Sequence, residues 1–297
     1  MNITKLAAID IGSNSIRLLI SNVIKYQKET YIRKSQLVRL PIRLGADSFV
    51  KGKISQKNRE RLLYAMQSYA GIMKINEVKD YRACATSAMR DASNGEEIRH
   101  YIQQQTGINI EVIDGKEEAR LVLSNDFLRK LVEDTRDFYY VDVGGGSTEI
   151  TIFKKGIISH SQSFNIGTVR LLSGKVEQPL WDEMKEWILE HGKNMIQPVV
   201  VGSGGNINRT LKMASKPSGS FLTLEYLEGQ HEFLSRFSQE ELIVRLGLNV
   251  DRADVIVHAQ RIFIKSMQWS GAEKIYVPKI GLSDGIVRDL YESHFAK

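Results

Sequence analysis

The chain has 297 residues, of which 42% are hydrophobic and 26% charged, a composition typical of globular proteins and a length that suits two domains. Cys84 is the only cysteine, which excludes disulfides and thiolate zinc sites, and no apolar run is long enough to span a membrane. The net charge of +6 favours an anionic partner, but scattered basic and aromatic residues argue against nucleic acid. The N-terminus leads directly into a predicted strand, so we expect no signal peptide and a cytoplasmic location.

Apolar patterns alternate between strand and helix along the chain. The first half is predicted as three strands, a helix, a strand, a helix, a strand and a helix: Leu6–Ile9, Ser15–Val23, Glu29–Arg39, Gln56–Lys74, Tyr81–Ala85, Glu96–Gln105, Asn109–Ile113 and Lys116–Leu131. The second half is predicted as three strands, a helix, a strand, a helix, a largely helical region, a strand and a helix: Phe138–Val143, Glu149–Phe153, Gly156–Phe164, Trp181–Met195, Pro198–Val201, Asn206–Ala214, Leu224–Trp269, Lys274–Val277 and Asp284–His294. This alternation predicts an α/β protein with a largely parallel core.

Two glycine loops repeat in matching contexts. Asp10–Ser15 reads Asp-Ile-Gly-Ser-Asn-Ser and follows an apolar run, and Asp142–Ser147 reads Asp-Val-Gly-Gly-Gly-Ser and does the same 132 residues later. Each is followed by a second strand-like run. The repeat therefore predicts a duplicated structure with two related halves.

These loops have the composition of phosphate-binding turns. Glycine lets backbone N–H groups approach phosphate oxygens, and nearby hydroxyl and amide side chains add donors: Ser13, Asn14, Ser15, Ser147 and Thr148. Asp10 and Asp142 stand at the strand ends, where a hydrated magnesium ion could be held. Two such loops facing each other would clamp a phosphate chain and its metal in one cleft. The alternative is two tight turns in which the aspartates cap backbone groups.

Two further segments indicate phosphate binding more weakly. Thr86, Ser87 and Arg90 follow a predicted strand and would suit a phosphate cradle, although an N-cap beside a solvated arginine fits equally. The loop Val201–Asn206 also joins a strand to a helix, but it matches neither a P-loop nor a dinucleotide-binding pattern.

Acidic side chains offer candidates for the chemistry itself. Glu117 and Glu118 open a predicted helix, where either could orient and deprotonate an attacking water or simply stabilise the first helical turn. Glu149 follows Asp142 by seven residues and could be a second acid near a metal. The six histidines form no metal-binding pattern. Spacing alone leaves the choice between Glu117 and Glu118 open.

The order of these segments resembles the exopolyphosphatase / guanosine pentaphosphate phosphohydrolase family, within the actin-like ATPase superfamily. The matching pieces span nearly the whole chain: Ala7–Ser15, Ala85–Arg90, Val112–Leu121, Val141–Glu149, Asn165–Leu171, Gly202–Gly205, Arg252–Ile256 and Gly281–Gly285. The resemblance implies an α/β protein of two RNase H-like domains with the active site in the cleft between them. We expect residues 1–123 to form the first domain, with a closing helix at 284–297 packed on it, and residues 124–283 the second.

The resemblance also implies the site residues. Glu118 matches the family's catalytic base, and Asp142 and Glu149 match acidic residues at its magnesium site, where Mn²⁺ is an alternative ion. Further positions match the first-loop aspartate and the phosphate-binding residues: Asp10, Ser13, Asn14, Ser15, Thr86, Ser87, Arg90, Gly144, Gly145, Gly146 and Ser147. The implied activity is release of terminal orthophosphate from inorganic polyphosphate, with guanosine pentaphosphate as the alternative substrate.

Other features bear on substrate and assembly. Longer family members carry a C-terminal helical extension with an HD-type domain, whereas this sequence ends at Lys297, so we expect no such extension and lower processivity. Departures from the family pattern at Asn206, His258–Ala259 and Val277–Lys279 leave the substrate preference open. An actin-like small-molecule kinase or ATPase, and a nucleotide-dependent binding protein, remain alternatives of other classes. We expect no membrane or nucleic-acid partner, and a homodimer stays open.

Overall fold

The computed structural model describes residues 2–27, 29–124, 137–155, 157–278 and 280–295. The chain divides into two compact units, one formed by Met1–Asn125 with Gly281–Lys297 and the other by Asp126–Ile280. Each unit is an α/β structure built on one sheet. None of the helices in the described ranges is long and apolar enough to cross a membrane.

The first unit is built on a five-stranded sheet with the order β3-β2-β1-β4-β5. Its described elements are β1 (Asn2–Ile11), β2 (Ile16–Tyr26), β3 (Glu29–Leu40), α1 (Leu44–Lys51), α2 (Gln56–Ile75), β4 (Asp80–Ala85), α3 (Ser87–Asp91), α4 (Gly95–Thr106), β5 (Ile110–Val112), α5 (Gly115–Leu123) and the closing helix α13 (Leu282–His294). β1 pairs antiparallel with β2, and β2 with β3, whereas β4 pairs in parallel with both β1 and β5.

The second unit is built on a six-stranded sheet with the order β10-β11-β9-β6-β7-β8. Its described elements are β6 (Phe138–Val143), β7 (Thr148–Lys154), β8 (Ile157–Phe164), α6 (Thr168–Leu172), α7 (Gln178–His191), β9 (Val199–Ser203), α8 (Gly205–Met213), β10 (Phe221–Thr223), α9 (Leu224–Ser235), α10 (Gln239–Val244), α11 (Val250–Ala253), α12 (Ile256–Ser270) and β11 (Lys274–Tyr276). β6, β7 and β8 form an antiparallel meander, and β6, β9 and β11 pair in parallel.

The two units therefore repeat one plan, in which an antiparallel meander of three strands is followed by parallel strands. The prediction of a largely parallel core is wrong, because short loops join the first three strands of each unit and a short loop can join only antiparallel neighbours. The central strands β1 and β6 are apolar runs buried along most of their length. Burial on both faces explains why they read as continuous apolar segments rather than alternating ones.

Several element boundaries differ from those predicted. The predicted helix Lys116–Leu131 is α5, which ends at Leu123; residues 125–131 of that prediction lie outside the described residues. The region Leu224–Trp269 divides into four helices, α9 to α12. Four elements were not predicted: α1, α3, α6 and β10. Each is too short for apolar periodicity to show in the sequence.

The closing helix α13 packs on the sheet of the first unit and directly against α5. A Cβ added at Gly285 in α13 would lie 1.8 Å from the carbonyl oxygen of Leu121, so the two helices touch through their backbones. Ser124 strengthens the contact by donating its hydroxyl to the Gly285 carbonyl at 3.3 Å. The far end of α13 is held by Lys25 Nζ, which donates to the Phe295 carbonyl at 2.7 Å.

This contact yields a test of the packing. Gly285→Ala should lower the free energy of unfolding by about 1–3 kcal/mol, the usual cost of forcing an extra carbon into a packed interior. The measurement is the melting temperature followed by circular dichroism.

Gly229 in α9 is the matched control, because nothing lies within 4 Å of a Cβ added there. Gly229→Ala should leave stability unchanged or raise it by up to about 1 kcal/mol through helix propensity. Equal melting temperatures for the two variants would contradict the close contact between α5 and α13.

Candidate active site

The first glycine loop joins β1 to β2 as a tight turn. Gly12 N donates to the Ser15 carbonyl at 3.2 Å, and a Cβ added at Gly12 would lie 3.2 Å from that same oxygen. Ser13 and Ser15 are buried, and Asn14 is half-buried. Glycine thus lets the chain reverse closely enough to hold three polar side chains at the end of β1.

The Thr86-Ser87 segment lies beside this loop. Thr86 N donates to the Ile11 carbonyl at 3.2 Å, which extends the parallel pairing of β1 and β4 by one step past the strand ends. The hydroxyl oxygens of Ser13 and Ser87 are 3.0 Å apart and buried. The structure therefore brings together two groups of hydroxyls that are more than 70 residues apart in the chain. Hydroxyls of this kind can donate hydrogen bonds to phosphate oxygens.

Arg90 is exposed and is tied to the connection that leads into α5. Its Nη1 donates to the Ile113 carbonyl at 2.9 Å. The next residue, Asp114, caps α5 by accepting a hydrogen bond from Glu117 N at 2.8 Å. This contact ties α3, which follows the Thr86-Ser87 segment, to the start of the helix that carries Glu118.

Glu117 is held by arginine side chains. The carboxylate of Glu117 accepts two hydrogen bonds from Arg120, at 2.7 and 2.8 Å, and one from Arg82 at 3.2 Å. These bonds, those from Arg120 first, hold the pKa of Glu117 below its ordinary value. A carboxylate with a lowered pKa, whose oxygens accept hydrogen bonds from two arginines, is a poor acceptor for the proton of an attacking water. Glu118 lies about 100° further round the helix and is half-buried.

The second glycine loop joins β6 to β7 with the geometry of the first. Gly144 N donates to the Ser147 carbonyl at 3.0 Å, and a Cβ added at Gly144 would lie 3.2 Å from that oxygen. Ser147 is buried, like Ser15 in the first loop. The repeated hexamer in the sequence therefore corresponds to a repeated turn.

The N-terminal residues of α6 donate hydrogen bonds to the backbone carbonyl groups of the second loop. Three donors reach three successive loop carbonyls: Thr168 N to Gly144 O at 3.0 Å, Val169 N to Gly145 O at 2.8 Å, and Arg170 Nε to Gly146 O at 2.7 Å. A Cβ added at Gly167 would lie 2.4 Å from the Gly145 carbonyl, so glycine is needed for this approach. The C=O and N–H of a trans peptide point in opposite directions. The loop's N–H groups therefore point away from α6, as phosphate binding requires.

The two loops differ in the charge beside their aspartates. In the first unit the register partner of Asp10 is Arg17, and the two side chains form an ion pair at 2.7 Å with Asp10 buried. In the second unit the register partner of Asp142 is Glu149, whose carboxylate accepts a hydrogen bond from Ser163 Oγ at 2.9 Å. The first loop thus has a carboxylate paired with a guanidinium, and the second has two carboxylates at opposite positions of the strand pair.

The carboxylate pair fits a divalent cation. Glu149 is only 3% exposed, whereas Asp142 is half-buried and accepts a long hydrogen bond of 3.4 Å from the Tyr140 hydroxyl. Within the described ranges no group of three or more His, Cys, Asp or Glu is placed to hold a metal. Mg²⁺ suits this donor set, because it takes one or two protein carboxylates and fills its shell with water and phosphate oxygens.

Three arginines beside the loops were missed by the sequence analysis. Arg17 follows Asp10 by seven residues, as Glu149 follows Asp142, so the repeat spacing could have identified it. Arg170 supports the second loop, and Arg252 Nη1 donates to the Gly205 carbonyl at 3.0 Å in the third. No local spacing links these last two to their loops. The third loop also turns through Gly204, whose φ of +117° is a conformation that only glycine adopts readily.

Comparisons with known proteins identify the family of this chain. The model of the Ppx/GppA phosphatase family matches residues 29–294. Exopolyphosphatase 2 of Mycobacterium tuberculosis is 33% identical over 180 residues, which cover 58% of this chain and 54% of that protein. The guanosine-5'-triphosphate,3'-diphosphate pyrophosphatase of Photobacterium profundum is 25% identical over 297 residues, covering 96% of this chain and 59% of that one. This chain spans about half the length of the curated relatives it matches.

A solved structure shares the fold. The crystal structure of an exopolyphosphatase from Cytophaga hutchinsonii matches 98% of both chains with a TM-score of 0.82 at 22% identity. The α/β fold class predicted from the sequence is confirmed by this likeness and by the two mixed sheets. With nearly the whole sequence matched by the family model, the chain belongs to the Ppx/GppA phosphatase family, a family of hydrolases.

Proposed function

We propose that the protein is an exopolyphosphatase that hydrolyses the terminal phosphoanhydride bond of inorganic polyphosphate with the help of Mg²⁺ or Mn²⁺. The observation that carries the proposal is the repeated glycine turn, closed by the same backbone hydrogen bond in both units. Its two copies offer hydroxyls and N–H groups to phosphate oxygens, and one copy adds a carboxylate pair. The name of the Mycobacterium tuberculosis relative supports this substrate class.

In this proposal Glu118 acts on the attacking water, while the loop hydroxyls and the carboxylate pair act on the substrate and its cation. Glu118 orients a water molecule and accepts its proton as the water oxygen bonds to the terminal phosphorus. The bond from phosphorus to the bridging oxygen breaks, so orthophosphate leaves and the shortened chain keeps the bridging oxygen. Ser13, Thr86 and Ser87 donate to the phosphate oxygens, and Asp142 and Glu149 would hold the cation. Bound Mg²⁺ would neutralise charge on the phosphate oxygens.

Alternatives of the same and of other classes remain. Guanosine pentaphosphate presents the same terminal bond, and the name of the Photobacterium profundum relative favours it. A small-molecule kinase or ATPase, or a nucleotide-dependent binding protein, would need a nucleotide.

We also propose that the protein is cytoplasmic. Its Cys84 is buried, and burial raises the pKa of the thiol to about 12, which keeps the thiol protonated. A reduced cysteine of this kind fits the cytoplasm.

A substrate panel tests the proposal. Defined-length polyphosphate, guanosine pentaphosphate and ATP are each incubated with the protein and Mg²⁺, and orthophosphate and product length are measured. We expect orthophosphate from polyphosphate without added nucleotide, with products shorter by single units. Early mid-length fragments would contradict attack at chain ends. Cleavage of guanosine pentaphosphate alone would favour that alternative, and turnover of ATP alone would favour the kinase or ATPase class.

Glu118→Gln should lower kcat by about 10²- to 10⁴-fold, the usual contribution of a general base. Substrate affinity should persist, because the amide keeps the size of the side chain and removes one negative charge. Steady-state kinetics on polyphosphate provide the measurement.

Glu117→Gln is the control on the same helix. It keeps the proposed base in place, so it should lower kcat less than Glu118→Gln does, by no more than the roughly 10- to 100-fold that a displaced base costs. It should also lower the melting temperature, because it weakens hydrogen bonds from Arg120 and Arg82. An inactive Glu117→Gln beside an active Glu118→Gln would reverse the assignment of the two residues. If both variants stay active, the base lies elsewhere.

Glu149→Gln should raise the Mg²⁺ concentration needed for half-maximal activity by more than about tenfold, since even indirect metal partners carry affinity of that order. The physical reason is the loss of one of two adjacent carboxylates. Mn²⁺ binding, followed by electron paramagnetic resonance, provides a readout independent of catalysis.

Asp10→Asn is the control from the equivalent turn. It breaks the ion pair with Arg17 and should lower activity, yet leave Mn²⁺ affinity unchanged. Equal losses of Mn²⁺ affinity in the two variants would remove the basis for placing the cation beside Asp142 and Glu149.

A further inference from the structure

A network of ion pairs joins α5 to two neighbouring elements of the first unit. Asp289 of α13 accepts from Arg120 Nη1 on α5 and from Arg82 Nη1 on β4, both at 2.8 Å. Arg120 also forms the two-bond contact with Glu117, and Arg82 reaches both Glu117 and Glu111 on β5. We call Arg82, Glu117, Arg120 and Asp289 the α5 brace.

The α5 brace differs from an ordinary surface ion pair. The side chains of Arg82 and Asp289 are each 19% exposed and Glu117 is 30% exposed, whereas Arg120 is 53% exposed and is held by two carboxylates. Isolated exposed pairs contribute little to stability, whereas paired, partly buried networks with two-bond contacts hold a defined geometry. Each carboxylate of the brace binds two guanidinium groups, so the rotation of α5 about its axis is fixed against both β4 and α13.

The brace is placed where such a constraint would matter for the reaction. Glu117 precedes Glu118, so clamping Glu117 sets the direction in which Glu118 leaves the helix. Arg82 lies on β4, the strand that leads into Thr86 and Ser87. The backbone contact of Gly285 with Leu121 fixes the separation of α5 from α13, and the brace fixes the remaining rotation.

We propose that the α5 brace positions Glu118 for attack on the terminal phosphate, with Asp289 as the positioning residue furthest from Glu118 in sequence. The inference rests on the proposed function, in which Glu118 is the base. Asp289 touches no reacting atom and acts through Arg82, Arg120 and Glu117. Loss of the brace should therefore lower kcat and leave the affinity for polyphosphate nearly unchanged.

Two substitutions loosen the brace without removing α5. Asp289→Asn keeps the shape but weakens both guanidinium contacts, and Arg120→Lys keeps the charge but loses the two-bond fork. We expect either variant to lower kcat by roughly 10- to 100-fold with KM within about twofold, since a displacement of about 1 Å can cost about 10²-fold. Arg120→Lys decides the outcome if Asp289→Asn melts below the assay temperature.

Arg99→Lys is the matched control. Arg99 forms the same two-bond contact three residues along a helix, with Glu96 on α4, and neither side chain belongs to the brace. This variant should keep the wild-type kcat. An equal fall in kcat for Arg99→Lys and Arg120→Lys would overturn the inference. Loss of any such ion pair would then lower kcat, whether or not the pair belongs to the brace.

A double variant separates positioning from general weakening of the fold. If the brace acts through Glu118, adding Asp289→Asn to Glu118→Gln should cause no further loss of kcat. Losses that multiply would overturn the inference while the proposed function stands. An active Glu118→Gln, in contrast, would overturn the proposed base.

Hydrogen exchange tests the brace without any substrate. Amides of α5 should exchange faster in Arg120→Lys than in the wild-type protein, and Arg99→Lys should leave α5 unchanged. Unchanged exchange over α5 in Arg120→Lys would overturn the brace whatever the activity of the protein.

Discussion

The candidate site depends on one constraint, the tight glycine turn. In each unit this turn joins a buried strand to the next antiparallel strand. A hydrogen bond from the first glycine of each loop to a serine carbonyl closes the turn at Gly12 and again at Gly144. Closure fixes the register of the hairpin and therefore sets which residue stands opposite each aspartate. Any substitution that opened the turn would displace the glycine loop and the charged pair together.

One backbone frame thus accommodates two different electrostatic environments. Arg17 neutralises Asp10 inside the first unit, so that carboxylate acts as an anchor for a guanidinium. Glu149 adds a second negative charge beside Asp142, and two adjacent carboxylates favour a divalent cation. Exchange of one residue type at one register position is sufficient to give the two duplicated turns opposite charges beside their aspartates.

Tertiary contacts distinguish the two neighbouring glutamates of α5. Asp114 caps the N-terminus of the helix. Glu117 pairs with Arg120 and Arg82, and Glu118 lies on another face of the helix. Helix propensity and the helix dipole treat the two glutamates nearly alike. Contacts with β4 and α13 distinguish them, because Asp289 and Gly285 come from the far end of the chain and reach α5 only when the first unit has folded.

The sequence by itself determined the α/β class, the repeated turn and most strand positions, since apolar runs and the aspartate-glycine hexamer are local patterns. It did not reveal the mixed sheets or the five-residue helices α3 and α6, which are little longer than one helical turn and too short for an apolar pattern to repeat. It also left Glu117 and Glu118 open and gave Arg17, Arg170 and Asp289 no role. Their contacts were decided only by the tertiary structure, because register, backbone contact and ion pairing join residues that are distant in sequence.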